Sequence, residues 1–340
     1  MKKFLLIGGA VCLVLAASVA AYIAPALSSR SIVEVESEIF IPTGADYDTL
    51  LALLGEEGEH ITDLARFERV ASLKGLSKSV RAGRYILKEG MSAKSVVGMF
   101  RGGMQSPVRL TFNNIRTLPQ LAGRLAEQIE PDSITLLAHL SSPEVAAKYG
   151  FKPEEMIGMF IPNTYEVWWN ITPESLTDRM KKEYDNFWNE ERVAKLERTR
   201  LTQKEVTTLA SIICEETRMT DEMPTMAGVY INRLRRGMLL QADPTVKFAI
   251  GDFTIRRVLN RHLEVDSPYN TYKYAGLPPS PICMPSIKGI DAVLNYKESS
   301  YLYFCAKEDF SGYHNFARTL SEHNQNARRY ANALNRAGIR

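Results

Sequence analysis

Apolar residues recur at the helical period along several stretches of this chain and run in short strand-like groups elsewhere. The clearest helix is Thr202 to Arg218, TQKEVTTLASIICEETR. Thr202 and Glu205 have the spacing of a capping box, which predicts a helix start there. Val206, Leu209, Ala210, Ile212 and Ile213 then fall on one side at about 100° per residue. Glu215 falls opposite that stripe, where a solvated carboxylate belongs. Glu216 falls beside Leu209 and Ile213, at the edge of the apolar face. A carboxylate held against apolar surface has its ionised form disfavoured, so its pKa rises. That suits a general acid working near neutral pH. A buried glutamate paired to an arginine, or capping a neighbouring element, gives the same pattern.

The remaining pattern divides the chain near residue 106. Ser37 to Pro42 and Arg84 to Leu87 read as strands. Asp46 to Leu54, Thr62 to Leu73 and Ser92 to Arg101 read as helices, the last opening at a serine cap. After Gly102 and Gly103, Val108 to Phe112 reads as a strand opening a second domain. Thr117 to Glu130 is amphipathic, and one helix is predicted over Pro173 to Arg200. Another starts near Pro224, runs through Arg236 and ends at Gly237 in a C-cap position. The rest reads as loop-rich, with Pro278, Pro279, Pro281 and Pro285 restricting the backbone. Long polar and aromatic loops around one acid suit a polymer cleft better than a small-metabolite pocket.

At the N-terminus, Lys2 and Lys3 precede an uncharged stretch from Phe4 to Ala24. That length spans a bilayer, and the lysines predict a cytoplasmic N-terminus with an exported body. A cleaved signal peptide, with small residues at Ala17 to Ala21, is the alternative. The 340 residues, 45% hydrophobic and 24% charged, are those of a folded chain of two domains. A net charge of +3 with no basic face makes nucleic acid a poor partner. Three of the four cysteines, Cys214, Cys283 and Cys305, lie in the exported body; free buried thiols are expected, with one disulfide between Cys283 and Cys305 as the alternative. His60, His139, His262, His314 and His323 are scattered without metal-ligand spacing, so no metal is expected.

Motifs then accumulate in order: RAGRY at Arg81 to Tyr85, GMFIPNTYEV at Gly158 to Val167, and ASIICEE at Ala210 to Glu216. They continue with INRLRRGMLLQADPTVKFAIG at Ile231 to Gly251 and YNTYKYAGLPPSPI at Tyr269 to Ile282. YLYFCA at Tyr301 to Ala306, and GYHNF then EHN between Gly312 and Asn324, complete the series. In these the chain resembles the YceG-like endolytic murein transglycosylases, the MltG family, from about Glu38 to the C-terminal region. The family's catalytic glutamate ends its ASI-x-x-x-E segment and maps onto Glu216, the residue that helical periodicity selects. Cys214, Glu215, Ala242, Ser280 and Met284 to Ser286 depart from the usual pattern without touching Glu216.

The resemblance implies an α+β chain with an N-terminal membrane helix (1–30), a small LysM-like α/β subdomain (31–106) and a larger α+β catalytic domain (107–340). It carries one catalytic glutamate on a helix. It implies a lytic transglycosylase acting on nascent peptidoglycan glycan strands at the cytoplasmic membrane, without a cofactor, with peptidoglycan synthases as candidate partners. A lytic transglycosylase needs one acid, because the C6 hydroxyl of the substrate is already tethered to the reacting carbon. Gln241, Asp243, Asn270, Tyr272, His314 and Glu322 are candidate substrate-binding residues, with Tyr272 available for stacking on a sugar ring. Asn232 and Arg233 are candidates for orienting Glu216. Asp243-Pro244 is also a helix-start signal. Two other classes remain: a hydrolytic muramidase with Asp243 as second carboxylate, and a non-catalytic glycan-binding scaffold.

Overall fold

The computed structural model describes residues 14, 17, 18, 28–55 and 60–338. The expected membrane span therefore lies almost wholly outside the described residues. Among those described, no helix is long and apolar enough to cross a membrane.

The chain forms two compact units. The first runs to Leu110 and takes in the later segments 128–131 and 165–171. It begins with β1 (Ser37–Ile41), α1 (Tyr47–Gly55) and α2 (Leu64–Lys74), followed by β2 (Gly83–Leu87) and α3 (Ala93–Gly102). Strands β1 and β2 pair antiparallel with Ser37 opposite Leu87 and Ile41 opposite Gly83. Alternation along them turns Ile39, Ile41, Tyr85 and Leu87 inward. There they meet Phe67 and Val70 of α2 and Val96, Val97 and Phe100 of α3. The Phe100 ring stands edge-on to both Tyr85 and Phe67. Asp63 and Ser92 cap the two helix starts. All five elements lie within two residues of the sequence expectation. The boundary near residue 106 becomes a division inside β3 (Val108–Phe112), and two segments distant in sequence complete the first unit, which no local pattern signals.

The second unit comprises residues 111–127, 132–164 and 172–340. It opens with α4 (Leu118–Ala126), α5 (Ser133–Leu140) and α6 (Pro143–Lys148), and β3 pairs with β4 (Asn163–Val167) in a two-stranded sheet. The single helix expected over Pro173 to Arg200 is two, α7 (Pro173–Phe187) and α8 (Glu190–Thr199). Asn189 breaks it: its side chain accepts from the Arg192 N–H and starts a new helix, a preference that competes with continuing the old one. Next come α9 (Gln203–Glu216), α10 (Met223–Arg235) and α11 (Asp243–Ile250). They are followed by α12 (Ile287–Leu294), the hairpin β5 (Tyr303–Ala306) and β6 (His314–Ala317), and α13 (Leu320–Arg336). The region after Gly237 is thus more regular than its proline content suggests. The prolines fall between the elements, and Pro244 occupies the first turn of α11, where its missing N–H costs nothing.

Helix α9 is the axis of this unit. The capping box forms as expected, with the Thr202 hydroxyl accepting from Glu205 N–H and the Glu205 carboxylate from Thr202 N–H. Burial does not stop at one stripe. Every residue from Val206 to Ile213 is buried, including Thr207, Thr208 and Ser211. The proline-rich loop covers the face that the periodicity left to solvent: the Ile282 N–H donates to Ser211 Oγ at 3.0 Å. Helices α10 and α12 pack on other faces; α12 approaches α9 closely through Gly289, while Gly228 of α10 makes room for the chain after α12. A Cβ at Gly228 would stand 2.3 Å from the Lys297 carbonyl oxygen, and one at Gly289 would stand 2.3 Å from Cys214 Sγ.

Candidate active site

Glu216 is the last residue of α9. Its side chain is half-buried and opens into a pocket of about 310 Å³. Gln241 and Asp243 at the start of α11 line this pocket with Tyr272, Arg233 and Leu240. Phe304, Cys305, Ala306 and His314 of the β5–β6 hairpin form a wall, and His323 of α13 completes it. The Tyr230 hydroxyl of α10 donates to Glu216 Oε1 at 2.8 Å. Burial pushes the Glu216 carboxyl up to about 7, Tyr230 opposes this, and the charge of Asp243 adds to it. Such a carboxyl holds its proton on about half the molecules at neutral pH, so it can both give and regain one there.

Glu215 is not the freely solvated carboxylate that its helical position suggests. It pairs with Arg116 at 2.7 Å, and Arg116 also lies over the Phe253 ring. The two adjacent glutamates therefore have opposite circumstances: one compensated by a guanidinium, the other held by a neutral hydroxyl in a desolvated pocket.

Five further sequence candidates come together around Glu216: Gln241, Asp243, Tyr272, His314 and Arg233. Gln241 adopts a left-handed backbone (φ 51°), strain for a residue with a side chain. Asp243 accepts the Tyr272 hydroxyl at 2.6 Å; burial and this carboxylate push the Tyr272 pKa well up, keeping it a donor. Arg233 is buried and spends its guanidinium on the carbonyls of Leu302, Leu239 and Leu240. Its charge still acts on Glu216 through space.

Three candidates lie elsewhere. Asn232 gives its amide to the carbonyls of Ser299 and Tyr301, pinning that loop. Asn270 is fully buried and bonds the Leu263 and Val265 carbonyls, shaping the turn that presents Tyr272. Glu322 closes the capping box of α13 with Thr319. Motif membership had grouped these with the site, but in each case side-chain polar atoms are bonded to the backbone, and none of the three lines the Glu216 pocket.

Sequence reasoning missed Phe304 and His323 as pocket residues and Tyr230 as the hydrogen-bond partner of Glu216. Tyr230 reads as one apolar residue among many in α10, and only the packing of α10 on α9 brings its hydroxyl to Glu216. Phe304 lies within YLYFCA and His323 within EHN, so motif membership was the available signal. His323 stacks on Tyr303, and burial, then Arg233, pushes its pKa down, so it is neutral at pH 7.

Two other cavities flank this geometry. One of about 320 Å³ includes Asn113, Asn114, Glu215, Thr217 and Arg218, so it meets the same helix end from another side. A larger one of about 720 Å³ lies at the ends of α8 and α10 and is distant in role. Its Arg198 and Arg235 are engaged with the Tyr296 and Arg198 carbonyls and the Tyr296 hydroxyl. Of these cavities, the one at Glu216 holds the carboxyl that burial pushes up to about 7.

A buried helix thus delivers one desolvated acid, Glu216, to a pocket that it shares with Asp243 and that aromatic and imidazole rings wall. The chain belongs to the YceG-like family, whose profile matches residues 39–329. It is 29% identical over 314 residues to the endolytic murein transglycosylase of Bacillus subtilis (strain 168), covering 87% of this chain and 85% of that protein. It is 27% identical over 289 residues to the endolytic murein transglycosylase of Streptococcus pneumoniae D39, covering 75% of this chain. In that case it spans about half, 51%, of the relative's length. The crystal structure of a yceG-like protein from Listeria monocytogenes superposes with a TM-score of 0.57 at 28% identity, covering 86% of this chain and 99% of that one.

Proposed function

We propose that this chain cleaves the MurNAc–GlcNAc glycosidic bond of peptidoglycan glycan strands by intramolecular transglycosylation, with Glu216 as the one acid–base group. The observation that carries the reading is the Glu216 carboxyl, pushed up to about 7 and held through one oxygen by Tyr230. Its other oxygen is left for substrate. Relatives over most of the chain are named endolytic murein transglycosylases, which supplies the polymer and the class of reaction.

Glu216 gives its proton to the leaving oxygen as the bond to the anomeric carbon breaks. Its carboxylate, steadied by the Tyr230 hydroxyl, then takes the proton of the C6 hydroxyl on the same muramic acid. That oxygen closes on the anomeric carbon and forms a 1,6-anhydro ring. No water is consumed, and Glu216 ends as it began. Proximity of the tethered hydroxyl replaces a second catalytic carboxylate. Gln241, the Tyr272–Asp243 pair and His314 line the same pocket, which supports a role for them in binding the sugars. Cavities reaching the end of α9 from two sides suit the interior of a strand, hence endolytic cutting.

A muramidase reading keeps one supporting observation, the proximity of Asp243 to Glu216. Against it, the Tyr272 hydroxyl already occupies one Asp243 carboxylate oxygen. We further propose that residues 4–24 anchor the chain in the cytoplasmic membrane with the body outside, and that the first unit is LysM-like. An anchored enzyme acts on glycan near the membrane, beside the synthases, and ends growing strands there. A turnover assay with Glu216→Gln tests the enzymatic reading. Cleavage by the wild type and none by the folded variant supports it; no cleavage by the wild type favours a glycan-binding scaffold.

A further inference from the structure

Glu222 lies six residues beyond Glu216, at the entry to α10, and its carboxylate is buried. Three donors converge on it. The His314 backbone N–H reaches Oε2 at 2.8 Å, the His314 ring Nδ1 reaches Oε1 at 2.7 Å, and the Thr217 hydroxyl reaches Oε1 at 3.3 Å. An ionised carboxylate only accepts, and the N-terminus of a helix favours negative charge. With that acceptor at Nδ1, the neutral ring carries its proton on Nδ1 and its lone pair on Nε2, at the opposite edge. Phe304 stands edge-on to this ring at 5.4 Å and restricts its plane. His314 lines the Glu216 pocket, and Phe304 also packs edge-on against Tyr230, the residue that holds Glu216.

We infer that Glu222 is a positioning residue: it locks His314 in the Nδ1–H tautomer so that Nε2 accepts a hydrogen bond from a hydroxyl or acetamido N–H of the bound glycan. The inference rests on the saccharide-cleaving reading and adds a specificity contact to it. Glu222 does not touch the substrate; it acts through His314. The donor groups it selects for are those of sugars, and an imidazole with the opposite tautomer would present an N–H where an acceptor is needed. Sequence reasoning missed Glu222, because nothing local marks a glutamate after Thr220-Asp221 as the partner of a histidine 92 residues away.

Two measurements on the full chain test this. The first is the ¹⁵N spectrum of protein labelled at its five histidines, recorded on the alkaline side of the ordinary imidazole range, with His314 assigned by the loss of its signals in His314→Leu. The inference requires the proton on Nδ1; a proton on Nε2 overturns it, whatever the enzyme's activity. The second is a double-mutant cycle on soluble glycan oligomers. His314→Leu removes one neutral hydrogen bond to substrate, so KM should rise about tenfold with kcat little changed. Glu222→Gln keeps the shape but cannot accept from both His314 N–H groups, so its KM should also rise. The double variant should be no worse than His314→Leu alone. Additive losses would make Glu222 merely structural, and an unchanged KM in His314→Leu would remove the contact. If Glu222→Gln fails to fold, the tautomer and the His314→Leu kinetics still decide. A wild type that cleaves nothing refutes the broader reading, while the tautomer result stands on its own.

Discussion

Tyr230→Phe removes one oxygen and should move the pH profile of the enzyme. Among the described residues, the Tyr230 hydroxyl is the one side-chain hydrogen bond pulling the Glu216 carboxyl down from the value that burial alone would impose. It bonds the charged form more strongly than the neutral one, so its loss disfavours ionisation and raises the pKa. A hydrogen bond to a charged group contributes about 1.5–3 kcal/mol. At 1.36 kcal/mol per pKa unit, that moves Glu216 from about 7 to roughly 8 or 9. The acid form is the one that reacts first, so kcat/KM of the wild type should fall as pH rises through about 7. In the variant this limb should lie about one to two units higher. On the acidic plateau the variant should be slower, by roughly tenfold, because its acid is weaker and the developing carboxylate has lost its donor. The assay is kcat/KM against pH for purified full chain on uncrosslinked glycan oligomers, with thermal unfolding recorded in parallel. A limb that stays where it is, or moves to lower pH, in a variant of unchanged stability refutes the assignment of Tyr230 to Glu216.

Other consequences follow from the same geometry. Glu216→Gln should abolish cleavage and yet stabilise the fold at alkaline pH. The folded chain keeps the Glu216 proton up to about 7, whereas an unperturbed glutamate loses it near 4.5, so wild-type stability falls as pH rises through that window. The variant should gain at most about 3 kcal/mol at pH 8 and nothing near pH 4, read by denaturant unfolding at both. Arg233→Met should lower stability by about 3 kcal/mol or more, because the Leu302, Leu239 and Leu240 carbonyls lose their buried donor; unchanged thermal unfolding would show that they find other partners. If residues 4–24 are an anchor, protein extracted from membranes should retain them; a mature N-terminus beyond residue 20 would show a cleaved signal instead.

The sequence made some of this legible and hid the rest for identifiable reasons. The first unit was readable because its helices carry their own caps and its strands alternate, so local chemistry agrees with the final packing. The run from Pro173 to Arg200 misled because a helical period continues across Asn189, and only the cap geometry shows the break. Helix α9 was placed correctly, but its polar face reads as exposed because the loop covering it comes some 70 residues later. Glu216 was legible twice, by position on the helix and by motif. Its partner Tyr230 was not, since a hydroxyl on an apolar helix announces no target. Motifs collected site and scaffold together: Asp243 and Tyr272 reach the pocket, whereas Asn270, two residues before Tyr272, is spent on the turn that presents it.

The most direct test is the mass of the products from purified protein and uncrosslinked glycan strands. One acid, Glu216, with Asp243 held by the Tyr272 hydroxyl, predicts oligomers ending in 1,6-anhydro-MurNAc, each lighter by one water than the hydrolysis product. Reducing MurNAc ends, carrying that water, would contradict the single-acid account and make Asp243 the second catalytic carboxylate.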